Sequence, residues 1–219
     1  MSNLKNKFAI GIPTLNRFDL LHPALLFYVR DFPETKIYVI DNGKQDIKEK
    51  INHPNIIVIK SEYNLGVASS WNLLCDLIFQ ENDYAIILND DIYLGRRDWE
   101  IDNLLSNYKY DFYVAIQDWC AFILPKKTYN KVGKFDEKIF PAYYEDNDYY
   151  YRMQLLKCNY YKIPFLSPFL YKASSTVDKD SSLRDLIENN RQYYVQKWGG
   201  EPYREKYKTP FNIKMPKKK

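Results

Sequence analysis

The stretch YAIILNDDIYL, residues Tyr84–Leu94, joins five mostly apolar residues to Asn89, Asp90 and Asp91. The apolar run predicts a strand buried in a sheet. Two adjacent carboxylates repel each other, and burying either one without a partner costs free energy. The pair therefore either caps a turn that faces water or holds a positively charged group.

Apolar segments of strand length alternate with helical patterns before Tyr84. The predicted strands are Lys7–Pro13, Lys36–Asp41 and Asn55–Lys60. The predicted helices are Arg17–Phe32, with Pro23 in its first turn or at its start, and Gly66–Gln80. This alternation predicts an α/β fold with a mostly parallel sheet covered by helices on both faces.

Residues that could contact a ligand follow each of these three strands and the strand that starts at Tyr84. They are Pro13, Thr14, Asn16 and Arg17; Asp41, Asn42 and Gly43; Asn64 and Gly66; and Asn89, Asp90 and Asp91. Ligands of such sheets bind at the carboxyl ends of the strands, so the four ends together predict a site. One or two carboxylates that share a divalent cation with phosphates suit this position. An extended chain would direct Asn89 and Asp91 to one face and Asp90 to the other.

The second half of the chain predicts another strand, Trp119–Pro125, and a short helix ended by Gly133. A helix with an acidic first turn follows at 143–159, then a short strand at 160–165 and a last helix at 182–198. Glu145, Asp146 and Asp148 form the acidic turn, which aromatic residues precede. The carboxylates could deprotonate a sugar hydroxyl, or they could only stabilise a solvated helix terminus. The residues alone leave both interpretations open.

Composition narrows the class of protein. The chain has 219 residues and a net charge of +4, but residues 204–219 carry seven cations and one acid. Such a basic tail is either a solvated terminus or a weak peripheral contact with a membrane. Three widely spaced cysteines predict a reducing compartment without a disulfide framework or a zinc motif. No apolar run has the length of a membrane span. We expect a cytoplasmic protein with a single domain at 1–203, in two halves at about 7–95 and 96–203, and a tail at 204–219.

Several motifs occur in a familiar order: IGIPTLNR, VIDNG, NLGVASSWN, ILNDD, GKFDE from Gly133, YYEDND from Tyr143, and YYVQKWGG. Their order over roughly residues 7–200 resembles glycosyltransferase family 2, whose members have the GT-A fold of nucleotide-diphospho-sugar transferases. The short rhamnosyl- and glucosyltransferase-like members are the most similar. The resemblance implies inverting transfer of a sugar from a uridine or thymidine diphosphate sugar to a glycan hydroxyl, with no nucleic acid partner.

The resemblance also implies roles for single residues. Asn89, Asp90 and Asp91 would match the DxD-type motif of the family, with Asp91 as the ligand of Mn²⁺ or Mg²⁺ and Asp90 near the ribose or donor sugar. Asp146 would be the catalytic base, with Glu145 as the fallback. The residues around the nucleoside would be Pro13, Thr14, Asn16, Arg17, Asp41, Asn64, Gly66 and Asn72.

Two departures from the family pattern concern the metal. Asn89 stands where the motif usually begins with Asp, and the segment FLYKASST, residues 169–176, lacks the histidine that many relatives place there. Lys172 in that segment is the candidate to supply positive charge to the diphosphate instead.

Two other functions remain as alternatives. A nucleotidyltransferase that makes sugar nucleotides would also use a nucleotide-type sheet with paired acids, but GIPTLNR lacks the glycine-rich loop typical of that class. A non-catalytic carbohydrate-binding domain with the same fold is the other, and the acids at Asp91 and Asp146 argue against it.

Overall fold

One mixed sheet organises the residues that the computed structural model describes, which are 7–116, 118–163 and 182–213. It has seven strands in the order β3-β2-β1-β4-β6-β5-β7. The strands are β1 Phe8–Thr14, β2 Ile37–Asp41, β3 Ile56–Lys60, β4 Tyr84–Leu88, β5 Phe112–Ala115, β6 Asp118–Pro125 and β7 Tyr160–Ile163.

Seven helices within the same residues accompany the sheet. They are α1 Phe18–Asp31, α2 Ile47–Lys50, α3 Gly66–Ile78, α4 Asp98–Asn107, α5 Lys126–Val132, α6 Glu145–Leu155 and α7 Ser182–Trp198. A short 3₁₀ helix, Pro210–Asn212, comes near the end of the described chain.

The direction of the strands divides the sheet. Strands β1 to β4 are parallel to one another, whereas β6 runs antiparallel to both of its neighbours, β4 and β5. The carboxyl ends of the first four strands therefore lie at one edge, as the alternation of strands and helices predicts.

Two hydrophobic cores lie on the two faces of the sheet. Leu21 and Tyr28 of α1 pack in one core with Ile101 of α4. Trp71 of α3 and Tyr149 of α6 pack in the other. Alternate residues of β1 contribute to the two cores, since Ile10 belongs to the first and Ala9 to the second. The predicted α/β architecture is confirmed, with helices on both faces of a mixed sheet.

The position of Pro23 differs from the prediction. Pro23 lies inside α1, at the sixth residue of the helix rather than in its first turn. A proline there has no N–H for the hydrogen bond that would reach the carbonyl of Asp19. The apolar face of α1 keeps the helix continuous, because Leu20, Leu21, Ala24 and Leu25 are all buried.

The segment that follows α7 returns to the body of the protein. The backbone N–H groups of Lys206 and Tyr207 both donate to the carbonyl of Trp198, at 3.0 and 2.9 Å. The hydroxyl of Tyr151 donates to the carbonyl of Tyr207 at 2.8 Å. The first residues of the predicted basic tail thus pack on helices, and residues 214–219 lie outside the described residues.

The start of α3 lies against the loop that precedes α6. Gly66 has a φ of +74°, and a Cβ placed on it would lie 2.8 Å from the carbonyl oxygen of Pro141. The N–H of the next residue, Val67, donates to that same oxygen at 2.7 Å. Only glycine allows this approach, and it brings the first half of the chain into contact with the second.

We predict that Gly66→Ala lowers the free energy of unfolding by about 2–5 kcal/mol, since left-handed strain and overpacking add. Gly133→Ala is the matched control. Gly133 has a φ of +89°, but a Cβ there would meet only Arg152 Nη1, at 4.0 Å. Its ψ of −176° places it in a backbone region that essentially only glycine adopts, so it should lose about 1–3 kcal/mol through strain alone. Equal losses in urea denaturation would contradict the close approach at Gly66.

Candidate active site

The stretch Asn89–Asp91 forms a turn beyond the end of β4. The strand ends at Leu88, and the N–H of Ile92 donates to the carbonyl of Asn89 at 3.3 Å. The expected alternation, with Asn89 and Asp91 on one face and Asp90 on the other, is therefore wrong. The alternation requires an extended chain. The backbone reverses here instead, because Asn and Asp favour turns.

Asp90 is connected to the end of the neighbouring strand. The hydroxyl of Thr14, the last residue of β1, donates to Asp90 Oδ2 at 2.6 Å. Burial raises the pKa of Asp90 to about 7, and the charge of Asp91 also raises it, whereas the Thr14 hydroxyl lowers it. Two carboxylates thus lie next to each other at the end of β4: Asp90, whose ionised form is destabilised, and the buried Asp91.

The donor set of Asp90 and Asp91 fits a divalent cation shared with a diphosphate. Both side chains offer the hard oxygen ligands that Mg²⁺ and Mn²⁺ take, and a bound cation would remove the mutual repulsion of the carboxylates. In the part of the chain that the structure describes, no group of three acidic, histidine or cysteine residues could hold a metal. A divalent cation held by one or two carboxylates commonly takes its other ligands from water and from bound phosphates.

Arg17 brings positive charge to the same edge. Its side chain is buried, and Nε and Nη2 donate to the two carboxylate oxygens of Asp19 at 3.0 and 3.1 Å. The hydrogen bond to Asp19 raises the pKa of Arg17 above its ordinary value, and the charges of Asp90 and Asp91 add to this effect. Arg17 thus lies close enough to influence both carboxylates.

The loop after β2 is fixed by a buried carboxylate. Asp41 accepts hydrogen bonds from the N–H of Gly43 at 3.0 Å and from Lys60 Nζ at 3.1 Å. Its side chain is fully buried, so Asp41 holds the loop and does not present its carboxylate to solvent. A Cβ on Gly43 would lie 2.3 Å from Asn16 Oδ1, and Asn16 Oδ1 accepts from the N–H of Lys44 at 2.8 Å.

Three predicted nucleoside contacts lie on α3 or just before it. Asn64 Oδ1 accepts from the N–H of Gly66 at 2.9 Å and so prepares the start of the helix. The amide of Asn72 is buried and bonds the backbone N–H and carbonyl of Phe135, at 2.8 and 3.0 Å. Its remaining N–H group donates to Glu137 at 2.8 Å. Asn72 is therefore a positioning residue for the Phe135 loop, since its amide groups are occupied.

The acidic turn of α6 contains two carboxylates in different environments. Glu145 is buried, and its Oε2 atom has no hydrogen-bond partner within the described residues. Burial, and then the charge of Asp146, raise the pKa of Glu145 well above its ordinary value. Asp146 is half-buried, and its Oδ1 accepts from the N–H of Asn147 at 2.7 Å. Burial therefore disfavours the ionised form of Glu145, whereas Asp146 keeps part of its surface in contact with solvent.

The third acid of that turn, Asp148, is a structural residue. It is fully buried and accepts from Arg152 Nε at 2.9 Å and from Trp198 Nε1 at 2.8 Å. Lys197 Nζ lies 2.5 Å from Asp148 and 2.6 Å from Asp136, between the two carboxylates. This cluster of charges joins α6 to α7 and to the loop after Gly133.

Asn190 of α7 secures the loop that leads into α6. Asn190 Oδ1 accepts from the N–H of Phe140 at 3.1 Å, and its Nδ2 donates to the carbonyl of Ala142 at 2.8 Å. The loop ends with Tyr143 and Tyr144, whose φ angles of 70° and 78° are both left-handed. Such strain at two large residues persists only where the surroundings hold it, and here it directly precedes Glu145.

The roles of Lys197, Trp198 and Asn190 in holding the acidic turn could not be deduced from the sequence. Lys197 and Trp198 belong to the YYVQKWGG motif, so the motif was a signal for them although their partners could not be deduced. Asn190 lies in a polar helical stretch in which nothing distinguishes it from its neighbours.

Aromatic side chains connect the two acidic regions. The N–H of Asn89 donates to the carbonyl of Cys120 at 2.8 Å. The preceding residue, Trp119, has its ring centroid 6.1 Å from that of Tyr149 on α6 and 6.2 Å from that of Trp71 on α3. The turn after β4 and the start of α6 are thus parts of one packed region. Lys172 and the segment 169–176 lie outside the described residues.

The described residues include no helix that is both long and apolar enough to cross a membrane.

We predict that Lys197→Met lowers the free energy of unfolding by about 3–5 kcal/mol near neutral pH, because it leaves the buried Asp148 and the partly buried Asp136 without their shared cation. Burial acts to raise the pKa of Asp136, but the hydrogen bond and charge of Lys197 outweigh it, and the pKa lies below its ordinary value. The stabilisation is therefore present above the unfolded pKa of about 4 and is lost as the pH falls through the folded pKa.

The difference in the free energy of unfolding between wild type and Lys197→Met, measured by urea denaturation, should accordingly shrink below about pH 4. Lys134→Met is the control, because its ion pair with Asp76 is exposed on both sides and should contribute about 0–1 kcal/mol. A deficit for Lys197→Met that stays constant from pH 7 to acid would contradict the role of the buried pair.

Comparisons with known proteins agree with this geometry. A model of the family described as Glycosyl transferase family 2 matches residues 9–171. No curated protein sequence matches the chain significantly.

Solved structures share the fold at low sequence identity. A mannosyltransferase from Pyrobaculum calidifontis, in complex with GDP-Man and Mn²⁺, is 12% identical with a TM-score of 0.59, over 74% of this chain and 56% of that one. GalNAc-T7 with UDP, GalNAc and Mn²⁺ is 9% identical with a TM-score of 0.60, over 89% of this chain and 51% of that one. A putative glucose-1-phosphate thymidylyltransferase from Bacillus anthracis is 10% identical with a TM-score of 0.53, over 84% of this chain and 95% of that one.

This chain thus spans little more than half of the first two structures. Their fold is the GT-A fold, and the family model extends over most of the sheet and both acidic regions. The chain belongs to glycosyl transferase family 2.

Proposed function

We propose that the protein is an inverting, metal-assisted glycosyltransferase. It would transfer a sugar, such as glucose or rhamnose, from a uridine or thymidine diphosphate sugar to a hydroxyl group of a glycan. The observation that carries the proposal is the pair of unlike carboxylates at the start of α6. Glu145 is buried and its burial raises its pKa, whereas the neighbouring Asp146 is half-buried and can accept a proton from an acceptor hydroxyl.

The donor would bind at the carboxyl ends of β1 to β4. Asp91 would hold Mn²⁺ or Mg²⁺, with Asp90 beside it, and the cation would stabilise negative charge on the departing diphosphate. Thr14 fixes the orientation of Asp90 through its 2.6 Å hydrogen bond. The nucleoside would lie along the loops that carry Pro13, Asn16 and Asn64, which Asp41 and Gly66 hold in place.

The acceptor would be activated at α6. Asp146 takes the proton of the acceptor hydroxyl while that oxygen forms a bond to the anomeric carbon and the bond to the diphosphate breaks. A single displacement of this kind inverts the anomeric configuration. The N-terminus of α6 favours an ionised Asp146 before the reaction, because the helix dipole is positive there.

A sugar-nucleotide nucleotidyltransferase is the second candidate, because the putative thymidylyltransferase shares the fold with a TM-score of 0.53. The sequence after β1 supports the first candidate, since GIPTLNR has a single glycine and Arg17 is engaged with Asp19. A non-catalytic sugar-binding domain would not need a general base with the environment of Asp146.

Donor binding tests the proposed function through the melting temperature. A nucleotide-sugar present at one hundred times its Kd, with Mn²⁺, stabilises the native state by about 2.7 kcal/mol, which raises the Tm by about 5–10 °C. Asp91→Asn should abolish the part of this shift that requires Mn²⁺. Asp185→Asn, which changes an exposed acid in the first turn of α7, should leave it unchanged. No shift with any uridine or thymidine diphosphate sugar would refute the proposed donor.

The second prediction separates the two carboxylates of α6. Asp146→Asn should lower kcat by about 10²–10⁴-fold while the donor-induced shift in Tm remains. Glu145→Gln should keep most of the activity, because the amide resembles the protonated carboxyl in size and charge. The reverse result, with activity lost in Glu145→Gln and kept in Asp146→Asn, would assign the base to Glu145.

A further inference from the structure

Two exposed tyrosines and a half-buried one form an aromatic cluster at the acidic helix. Tyr203 is 76% exposed and Tyr160 is 43% exposed. Both rings contact that of Tyr150 on α6, at centroid distances of 6.2 Å for Tyr203 and 5.7 Å for Tyr160. We call Tyr150, Tyr160 and Tyr203 the tyrosine platform.

The platform is on the same side of α6 as the proposed base. Tyr150 follows Asp146 by four residues, so the two side chains share a helix face and lie about 6 Å apart along the axis. Side chains of a helix lean towards its N-terminus, which directs Tyr150 towards Asp146. Tyr150 is half-buried and packs partly against the second core, whereas Glu145, Tyr149 and Met153 are buried.

The turn that carries Tyr203 is held in place. The backbone N–H of Tyr203 donates to Glu205 Oε1 at 3.0 Å, and the buried Tyr194 hydroxyl donates to that oxygen at 2.5 Å. Tyr203 has a φ of +67°, a strained conformation for a large residue. A Cβ on Gly200 would lie 2.2 Å from the carbonyl oxygen of Arg204. The chain thus holds a large aromatic ring in solvent on a tightly closed turn.

Strand β7 directs its two tyrosines to different places. Tyr161 joins Tyr108 and Tyr110 in stacked contacts on the core that contains α1 and α4. Tyr160, the adjacent residue, must point to the other face of the sheet, where it meets Tyr150 of α6. The platform therefore belongs to the face of the molecule that carries the acidic helix.

The platform has the chemistry of a surface that binds a sugar ring. Pyranose rings present C–H faces that pack on aromatic rings, and their hydroxyl groups can bond to phenol groups at the edges. Burial, and then the hydrogen bond with Tyr160, raise the pKa of Tyr150 to about 12. The phenol of Tyr150 is thus uncharged at neutral pH and can hydrogen-bond a neutral sugar.

We propose that the tyrosine platform binds the glycan acceptor, at a sugar unit adjacent to the one whose hydroxyl Asp146 deprotonates. This inference rests on the proposed function, since it assigns a second subsite to that acceptor. Tyr150 would support the sugar nearest to Asp146, and Tyr203 would hold the next one.

The test uses an array of immobilised oligosaccharides with one to six neutral hexose, 6-deoxyhexose or N-acetylhexosamine units. Wild type should bind at least one series, with affinity that rises from one unit to three. Tyr203→Ala should lose about fivefold in affinity for the longer members and retain the single unit. Tyr108→Ala removes an exposed tyrosine with a similar ring contact on the opposite face and is the matched control.

Donor-induced shifts in Tm separate this inference from the proposed function. If Tyr203→Ala keeps both the donor shift and the affinity for the longer glycans, the platform is refuted while the enzyme assignment stands. If wild type binds donor but no member of the array, the platform is also refuted. Loss of glycan affinity in Tyr203→Ala but not in Tyr108→Ala, with the donor shift intact in both, supports the platform.

Discussion

A buried carboxylate determines how the second half of this protein is assembled. Asp148 has no exposed surface, so its charge needs donors, and its own helix supplies only Arg152. Lys197 and Trp198 of α7 supply the others. An ion pair that loses one partner in the interior costs several kcal/mol, which favours docking of α7 on α6 in this register.

Other contacts depend on that docking. With α7 in place, Asn190 reaches the loop of Phe140 to Tyr143 and fixes the approach to Glu145. Farther along the same helix, Tyr194 bonds Glu205 and so helps to hold the turn of Tyr203. The proposed base and the tyrosine platform are thus positioned by one helix, although neither belongs to it.

Most of the sheet could be predicted from the sequence, but β5 (Phe112–Ala115) and much of the site's internal bonding could not. Apolar strands alternating with helices define the layers, because parallel strands are buried on both faces. The polar strand ends were likewise visible as a rim. The partners of the Asp41 and Asn72 side chains could not be deduced, because Lys60 and Phe135 are distant in sequence and bind them only in the folded chain. The turn at Asp90 could not be predicted either, since the expected alternation of side chains assumes an extended chain, whereas Asn and Asp allow the backbone to reverse.

The two acidic regions follow different electrostatic logic. Asp90 and Asp91 are close together and gain from a cation that a diphosphate brings with it. Glu145 is buried, whereas Asp146 is half-buried. Under the proposed function, the edge of the sheet would stabilise the leaving group and α6 would activate the acceptor.

Phosphorus NMR of the products tests that central claim most directly. The protein is incubated with Mn²⁺, a uridine or thymidine diphosphate sugar and a glycan acceptor. The account predicts that free nucleoside diphosphate accumulates while the nucleotide-sugar signal declines, and that this requires Asp146. Formation of inorganic pyrophosphate from a nucleoside triphosphate and a sugar phosphate, without release of nucleoside diphosphate from the nucleotide-sugar, would contradict it.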